Sequence, residues 1–373
     1  GEKMAERSLV ELRLKGDPRP GHHPVATTGF RAFFLLAGAF ATLAVPVWLV
    51  ALMGRGLPGG VLPAARWHGH EMLFGYAVAV LAGFFLTAVP KWTGRPTVEG
   101  APLIGMAALW LAGRLLCAAP EALAWPAMVV DLAFVPALAV AIGRPIVGGA
   151  SKRNYGFLPL LALLALANLA IHLEARGIGS LGGRAEQVAL DCVLYVMVVV
   201  GGRIIPLFTG NALDDAKVER VVWAERATNP AFGAVLGADL LGLPPAWMGV
   251  LAGLAGITLF ARMSRWGGSK TLGSPILWVL HAAYGLLAGG LVLRGLTAFD
   301  LGGGLDARHA LTSGAVGLLT LGMMARVSLG HTGRPLDVRW PVTAAFGMVL
   351  TAALLRIVAP PSACRWACCT RRE

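Results

Sequence analysis

Residues 67–96, WHGHEMLFGYAVAVLAGFFLTAVPKWTGRP, place two histidines at the mouth of a long apolar run and close that run with a basic turn. The run does not alternate in polarity, so it reads as a helix rather than a strand, and it is long enough to cross a hydrocarbon core of about 30 Å. The chain repeats this pattern throughout. Of its 373 residues, 56% are hydrophobic and only 14% are charged, with a mean hydropathy of +0.68. Such a composition excludes an ordinary water-soluble domain and predicts an all-α, polytopic transmembrane helix bundle surrounded by the lipid bilayer. An outer-membrane barrel is excluded because the long apolar runs lack its two-residue alternation.

Eleven spans are expected, near residues 30–53, 70–89, 101–119, 122–142, 157–173, 188–208, 230–243, 246–261, 272–293, 309–329 and 340–358. The seventh and eighth are short and meet at the turn GLPP. The domain reading is a tail over residues 1–29, a single transmembrane domain over 30–358 and an irregular tail over 359–373. The first thirty residues are polar and basic, and the first apolar run is of full spanning length, so no cleavable signal peptide is expected.

The net charge of +12 would suit nucleic acid, but its distribution points elsewhere. Six Lys and Arg lie up to Arg31, followed on every second loop by Lys91 and Arg95; Arg144, Lys152 and Arg153; Lys217, Arg220 and Arg226; Arg262, Arg265 and Lys270; and Arg326, Arg334 and Arg339, twenty in all. The intervening loops hold six: Arg55, Arg66, Arg176, Arg184, Arg294 and Arg308. This is the positive-inside pattern, which sets the N-terminus in the cytoplasm and excludes a nucleic-acid partner as the reason for the charge.

The five cysteines give no disulfide framework. Cys117 and Cys192 fall in apolar helices and read as small buried side chains, while Cys364, Cys368 and Cys369 crowd the C-terminal tail in a loose metal-ligand spacing.

An internal repeat organises the chain. A shift of 239 residues lays the segment from His70 on the segment from His309, matching Gly75 with Gly314, Gly83 with Gly322, and the Thr-Gly-Arg-Pro of residues 93–96 with that of 332–335. A weaker copy, RIIPLFTGN, carries Thr209 at the corresponding place, 116 residues after Thr93 and 123 before Thr332. Three pseudo-symmetric four-helix repeats follow, over about 30–142, 157–261 and 272–358.

Equivalent positions in such repeats are expected at similar depth. His70 and His309 therefore suggest two imidazoles flanking one haem iron, one from each of the second and tenth helices. His68 competes with His70, although two residues of separation turn it to another helix face and its repeat partner is Ala307. His281 lies deep in the ninth span, where an ionisable group is a functional candidate: either a ligand for a second metal or haem, or a partner in an interhelical hydrogen bond. His22, His23, His172 and His331 read as solvated or capping side chains. Arg203 and Arg326 share one repeat register near helix ends and read as snorkelling cations that could also meet a cofactor. Arg114 and Asp131 suggest an intramembrane ion pair, and Asp191 needs a cation not identified from sequence.

The quoted stretch, together with LWLAGRL, GGRIIPLFTGN, LWVLHAAYGLL and the tenth-helix segment ending MMARVSLGHTGRP, resembles the NnrS family over about residues 30–361. That resemblance implies a twelve-helix protein of the bacterial inner membrane, containing haem and copper and acting in the response to or detoxification of nitric oxide. It also implies distant kinship with the catalytic subunit of haem-copper oxidases, whose low-spin haem lies between helices two and ten. The chain departs from that picture in two places. After LLRIVAPP it turns into SACRWACCTRRE where the family has a twelfth span, and its sixth and seventh helices carry Arg203, Asn229 and Asp239 where the oxidase has copper-binding histidines. The expected function is that of a haem b protein binding or turning over nitric oxide, with an electron donor that the sequence does not identify. A transporter or channel with a midplane site around His281 is the alternative.

Overall fold

The computed structural model describes residues 23–53, 60–213, 217–303 and 305–358. His22, Arg55, most of the N-terminal tail and the cysteine-rich C-terminal tail lie outside the described residues.

Among the described residues eleven helices are present, α1 being Gly29–Leu52. Helix α2 runs as an α-helix over Ala64–His70, a π-helical segment over Glu71–Ala77 and an α-helix over Val78–Thr93. Then come α3 (Ala101–Cys117), α4 (Ala124–Gly148), α5 (Phe157–Glu174), α6 (Gly182–Ala212), α7 (Val222–Leu241), α8 (Pro245–Met263) and α9 (Pro275–Thr297). Helix α10 repeats the composite pattern of α2, with Ala307–His309, a π-helical segment Ala310–Gly317 and Leu318–His331, and α11 is Trp340–Val358. Nine of these are long and apolar enough to cross a membrane. Helix α3 is shorter, and α7 carries Glu225, Arg226 and Asp239. The protein is an all-α, multi-pass membrane bundle.

The helix ends follow local chemistry. Gly94, at φ 67°, closes α2 by donating its N–H to the Pro90 carbonyl, a left-handed cap that costs glycine little. Gly242 does the same for α7, and Pro245 opens α8 in the first turn, where its missing N–H has no partner to lose. This fixes the GLPP turn. Several helices begin earlier than expected: α2 at Ala64, α6 at Gly182 and α7 at Val222, whereas the sequence reading began them at 70, 188 and 230. Charged residues near each start, Arg66, Arg184 and Glu225, interrupt the apolar run by which a span is read from sequence.

The chain forms two compact units. One comprises the described residues of Gly1–Ala189 and Val327–Pro335, the other those of Leu190–Arg326 and Leu336–Glu373. In the first, α2 packs on α1 and α4, while α4 also takes α3 and α5. Side chains such as Phe33, Phe85 and Leu138 fill this core, and Leu43, Leu115 and Val129 face outward, as expected for a lipid-facing surface. In the second, α8 packs between α7 and α9, and the π-helical segment of α10 packs on α9 and α11.

Candidate functional site

The first unit buries a polar cluster of six side chains from four helices, His70, Glu71, Arg114, Asp131, Asn168 and His172. His70 ends the first α-helical stretch of α2, six residues beyond Ala64, so it is fully buried and not at a helix mouth. Its Nδ1 donates to Glu71 Oε1 at 2.9 Å. Its Nε2 faces Asn168 Oδ1 at 2.9 Å and Asp131 Oδ2 at 3.2 Å. Asn168 Nδ2 itself donates to Asp131 Oδ2 at 2.8 Å, which fixes its oxygen as the atom offered to His70. Both imidazole nitrogens therefore stand within hydrogen-bond distance of side-chain oxygens.

Arg114, from α3, bridges the carboxylates. Nη1 donates to Glu71 Oε1 at 2.7 Å, and Nη2 pairs with Asp131 Oδ1. The Arg114–Asp131 pair expected from sequence is present, extended by Glu71. His172 Nε2 donates to Asp131 Oδ2 at 2.9 Å, and its Nδ1 takes a longer contact from Arg176 Nη1 at 3.4 Å. The solvated role expected for His172 is corrected here, since the ring is fully buried and its partner is a carboxylate inside the bundle. The His70, Cys117 and Asp131 ligand atoms lie within 4.8 Å of one another, a grouping compatible with a metal ion. Glu71 Oε2 is buried and makes no hydrogen bond among the described residues. At these depths every unmatched polar atom costs free energy, so the interlocking pairs are what make the cluster tolerable.

His68, two residues before His70 on α2, is stacked on Trp48 with ring centroids 4.6 Å apart and planes 10° from parallel.

The second unit holds His281 and His309. His309 is the third residue of α10, and its Nδ1 donates to Asp306 Oδ2 at 2.6 Å, while Asp306 Oδ1 caps the helix by accepting the His309 N–H at 3.1 Å. Burial alone would raise the Asp306 carboxyl, but these bonds hold it below the usual carboxylate range. With Nδ1 committed to a carboxylate, Nε2 of a neutral ring keeps its lone pair, and the side chain remains 31% exposed. His281, buried in α9, directs Nδ1 at the Leu277 carbonyl at 3.2 Å and Nε2 at the Thr209 hydroxyl at 3.5 Å. The interhelical contact thus exists, and it is long for a hydrogen bond.

Arg326 is buried, with its guanidinium carbon 3.8 Å from the centroid of the Phe208 ring, while Arg203 is half-buried on α6. Asp191 finds its cation in Arg294, which donates to it at 3.4 Å and grips both oxygens of Asp239 at 2.7 and 2.6 Å. A further buried set was missed from sequence. Arg262 donates to Glu225 Oε2 at 2.7 Å, to the Val198 carbonyl at 3.0 Å and to the Tyr284 hydroxyl at 3.3 Å. The signal available was the charges Glu225, Arg262 and Arg294 near helix ends, which read equally well as loop charges.

The two repeat-equivalent histidines thus differ in state. His70 is locked on both nitrogens in the first unit, and His309 is held on one nitrogen in the second. No curated protein and no solved structure matches the chain. The family model of the NnrS protein matches residues 24–369, nearly the whole length, and the chain belongs to that family.

Proposed function

We propose that this member of the NnrS family is a haem-binding protein of the bacterial inner membrane that acts in the response to nitric oxide, with His309 as an axial ligand of haem b. The observation that carries the reading is the Asp306–His309 pair. A ligating histidine characteristically gives its other N–H to a carboxylate or carbonyl, which fixes the tautomer and the ring orientation, and Nδ1 of His309 does so at 2.6 Å. The residues therefore fit an imidazole-ligated iron. When bound, a haem supplies an electron-exchanging centre and, on an open face, a place for a diatomic gas. His281 has a related posture, with Nδ1 on a backbone carbonyl, and is the candidate for a second metal, copper being the one the family resemblance points to.

His70 enters differently. The bis-histidine pairing expected from the repeat requires its Nε2 to leave Asn168 and Asp131, bonds that now satisfy buried partners. As it stands, His70 serves to hold Glu71 and Asp131 in place.

The experiment is the absorption spectrum of the purified chain, oxidised and reduced, with His309→Ala, His70→Ala and His281→Ala beside it. The expected result is a haem spectrum that His309→Ala abolishes or converts to a high-spin form, with His68→Ala unchanged. Loss of the low-spin bands in His70→Ala as well would mean that His70 surrenders Nε2 to the iron. An unchanged spectrum in His309→Ala would falsify the assignment, and a colourless wild-type chain would turn the reading towards the transporter alternative at His281.

A further inference from the structure

The end of α2 holds a second polar site of a different kind, within the first unit. A pocket of about 620 Å³, part of it open to solvent, lies between the start of α1, the last turn of α2 and the Thr-Gly-Arg-Pro turn. Two cations line it, Lys91 and Arg95, with His331 beside them. Within the helices Arg114 pairs with Glu71 and Asp131, Arg262 with Glu225, and Arg294 with Asp191 and Asp239, while Arg326 stacks on Phe208. Lys91 and Arg95 have no carboxylate partner among the described residues. Lys91 Nζ instead meets His331 Nε2 at 3.3 Å, and because an ammonium can only donate, that imidazole nitrogen accepts. Glu99 is the only carboxylate on the pocket wall, so the lining carries two positive charges against one negative.

The placement is built rather than incidental. The left-handed Gly94 turns the chain at the end of α2, and Thr93 Oγ1 receives the Arg95 N–H at 3.2 Å, which fixes that turn. Phe30 and His331 pack ring to ring at 5.5 Å, holding the imidazole that positions Lys91. Leu86 and Pro90 give the pocket an apolar wall on the side that continues down the spanning helix.

We infer that this pocket binds a phosphate group. Lys91 and Arg95 both line this opening, and an ammonium with a guanidinium suits an anion with several acceptor oxygens. A basic pocket at the end of a membrane-spanning helix, with an apolar wall descending from it, fits the headgroup of an anionic phospholipid; a soluble phosphate presents the same chemistry without the acyl chains. The site is independent of the haem reading.

The test uses the purified full chain in detergent, with short-chain phosphatidylglycerol, short-chain phosphatidylcholine and inorganic phosphate as three separate ligands, and binding read by native mass spectrometry and by the shift in thermal midpoint. Wild type is expected to retain phosphatidylglycerol over phosphatidylcholine. The double variant Lys91→Gln with Arg95→Gln is expected to bind it about thirtyfold more weakly, from about 1 kcal/mol for each removed cation. Lys91→Arg with Arg95→Lys, which keeps both charges, should bind as wild type does and shows that loss in the Gln variant is not a folding defect. Phosphate binding that is lost in the Gln variant, without any preference for phosphatidylglycerol, supports the site and assigns it to a soluble ligand. Equal binding of all ligands by wild type and the Gln variant, or no binding by wild type, overturns the inference.

Discussion

Asp131 carries more of the buried cluster than any other side chain, because its two oxygens receive Arg114, Asn168, His172 and His70. Removing it strands a guanidinium and three further donors in an apolar interior, and breaking a buried pair from one side costs about 3–5 kcal/mol. Asp131→Ala is therefore expected to lower the thermal midpoint of the purified protein sharply. Asp131→Asn keeps one acceptor oxygen and should lose less. Unfolding curves for the two variants that coincide with wild type would show that the cluster contributes nothing to stability. The Arg114–Asp131 pair was legible in the sequence, because two opposite charges inside neighbouring apolar helices have few other ways to be satisfied. Glu71 and His172 were not, since each stands near the end of an apolar run, where a solvated side chain and a buried one look the same. Asn168, an uncharged polar residue within such a run, gave no charge signal to follow. Arg294 escaped for the same reason as Glu71: near the end of α9 it reads as a loop charge, yet it grips Asp191 and Asp239.

Helices α2 and α10 carry π-helical segments at corresponding places, Glu71–Ala77 and Ala310–Gly317, each directly after a histidine. The shift of 239 residues that aligns the sequences carries 71 onto 310, so the repeat extends to an uncommon backbone form that often marks functional positions. The repeat and its register could be read from residue identity, whereas the π-helical form could not, because no residue type announces an extra residue in a turn. Gly75 and Gly314 occupy the same register but differ in surroundings. A Cβ on Gly75 would sit 2.5 Å from the Phe40 ring and 3.2 Å from Glu71 Oε2, while on Gly314 the nearest atom is the end of the flexible Leu286 side chain at 3.2 Å. Gly75→Ala should accordingly cost about 1–3 kcal/mol as overpacking, and Gly314→Ala less than about 1 kcal/mol. Paired thermal melts of the two variants check this, and an equal or reversed order would contradict the packing described for α2.

At the scale of the molecule, composition alone pointed to the membrane, and nine long apolar helices among the described residues agree with it. What the apolar runs hid was the starts of α2, α6 and α7, where Arg66, Arg184 and Glu225 interrupt hydrophobic continuity. The distribution of charge leads to the remaining prediction, which concerns orientation. Twenty Lys and Arg stand on the N-terminal side and alternate loops, against six on the others. Lys and Arg flanking short loops resist translocation, and an imbalance of that size in loops this short dominates the orientation. The turn after α2 offers Arg95 and Pro96 to solvent, and the turn between α5 and α6 offers Gly179 and Ser180. A reporter inserted after Pro96 is expected to read cytoplasmic, and one inserted after Ser180 periplasmic. The Lys91 and Arg95 pocket would then open on the cytoplasmic leaflet. If the two reporters exchange sides, the charge argument fails and the pocket must face the periplasm. Moving charge tests the cause directly. Replacing Lys152 and Arg153 by Gln while adding two Lys beside Ser180 should weaken the periplasmic signal at residue 180, because the force holding that loop outside is its lack of cations.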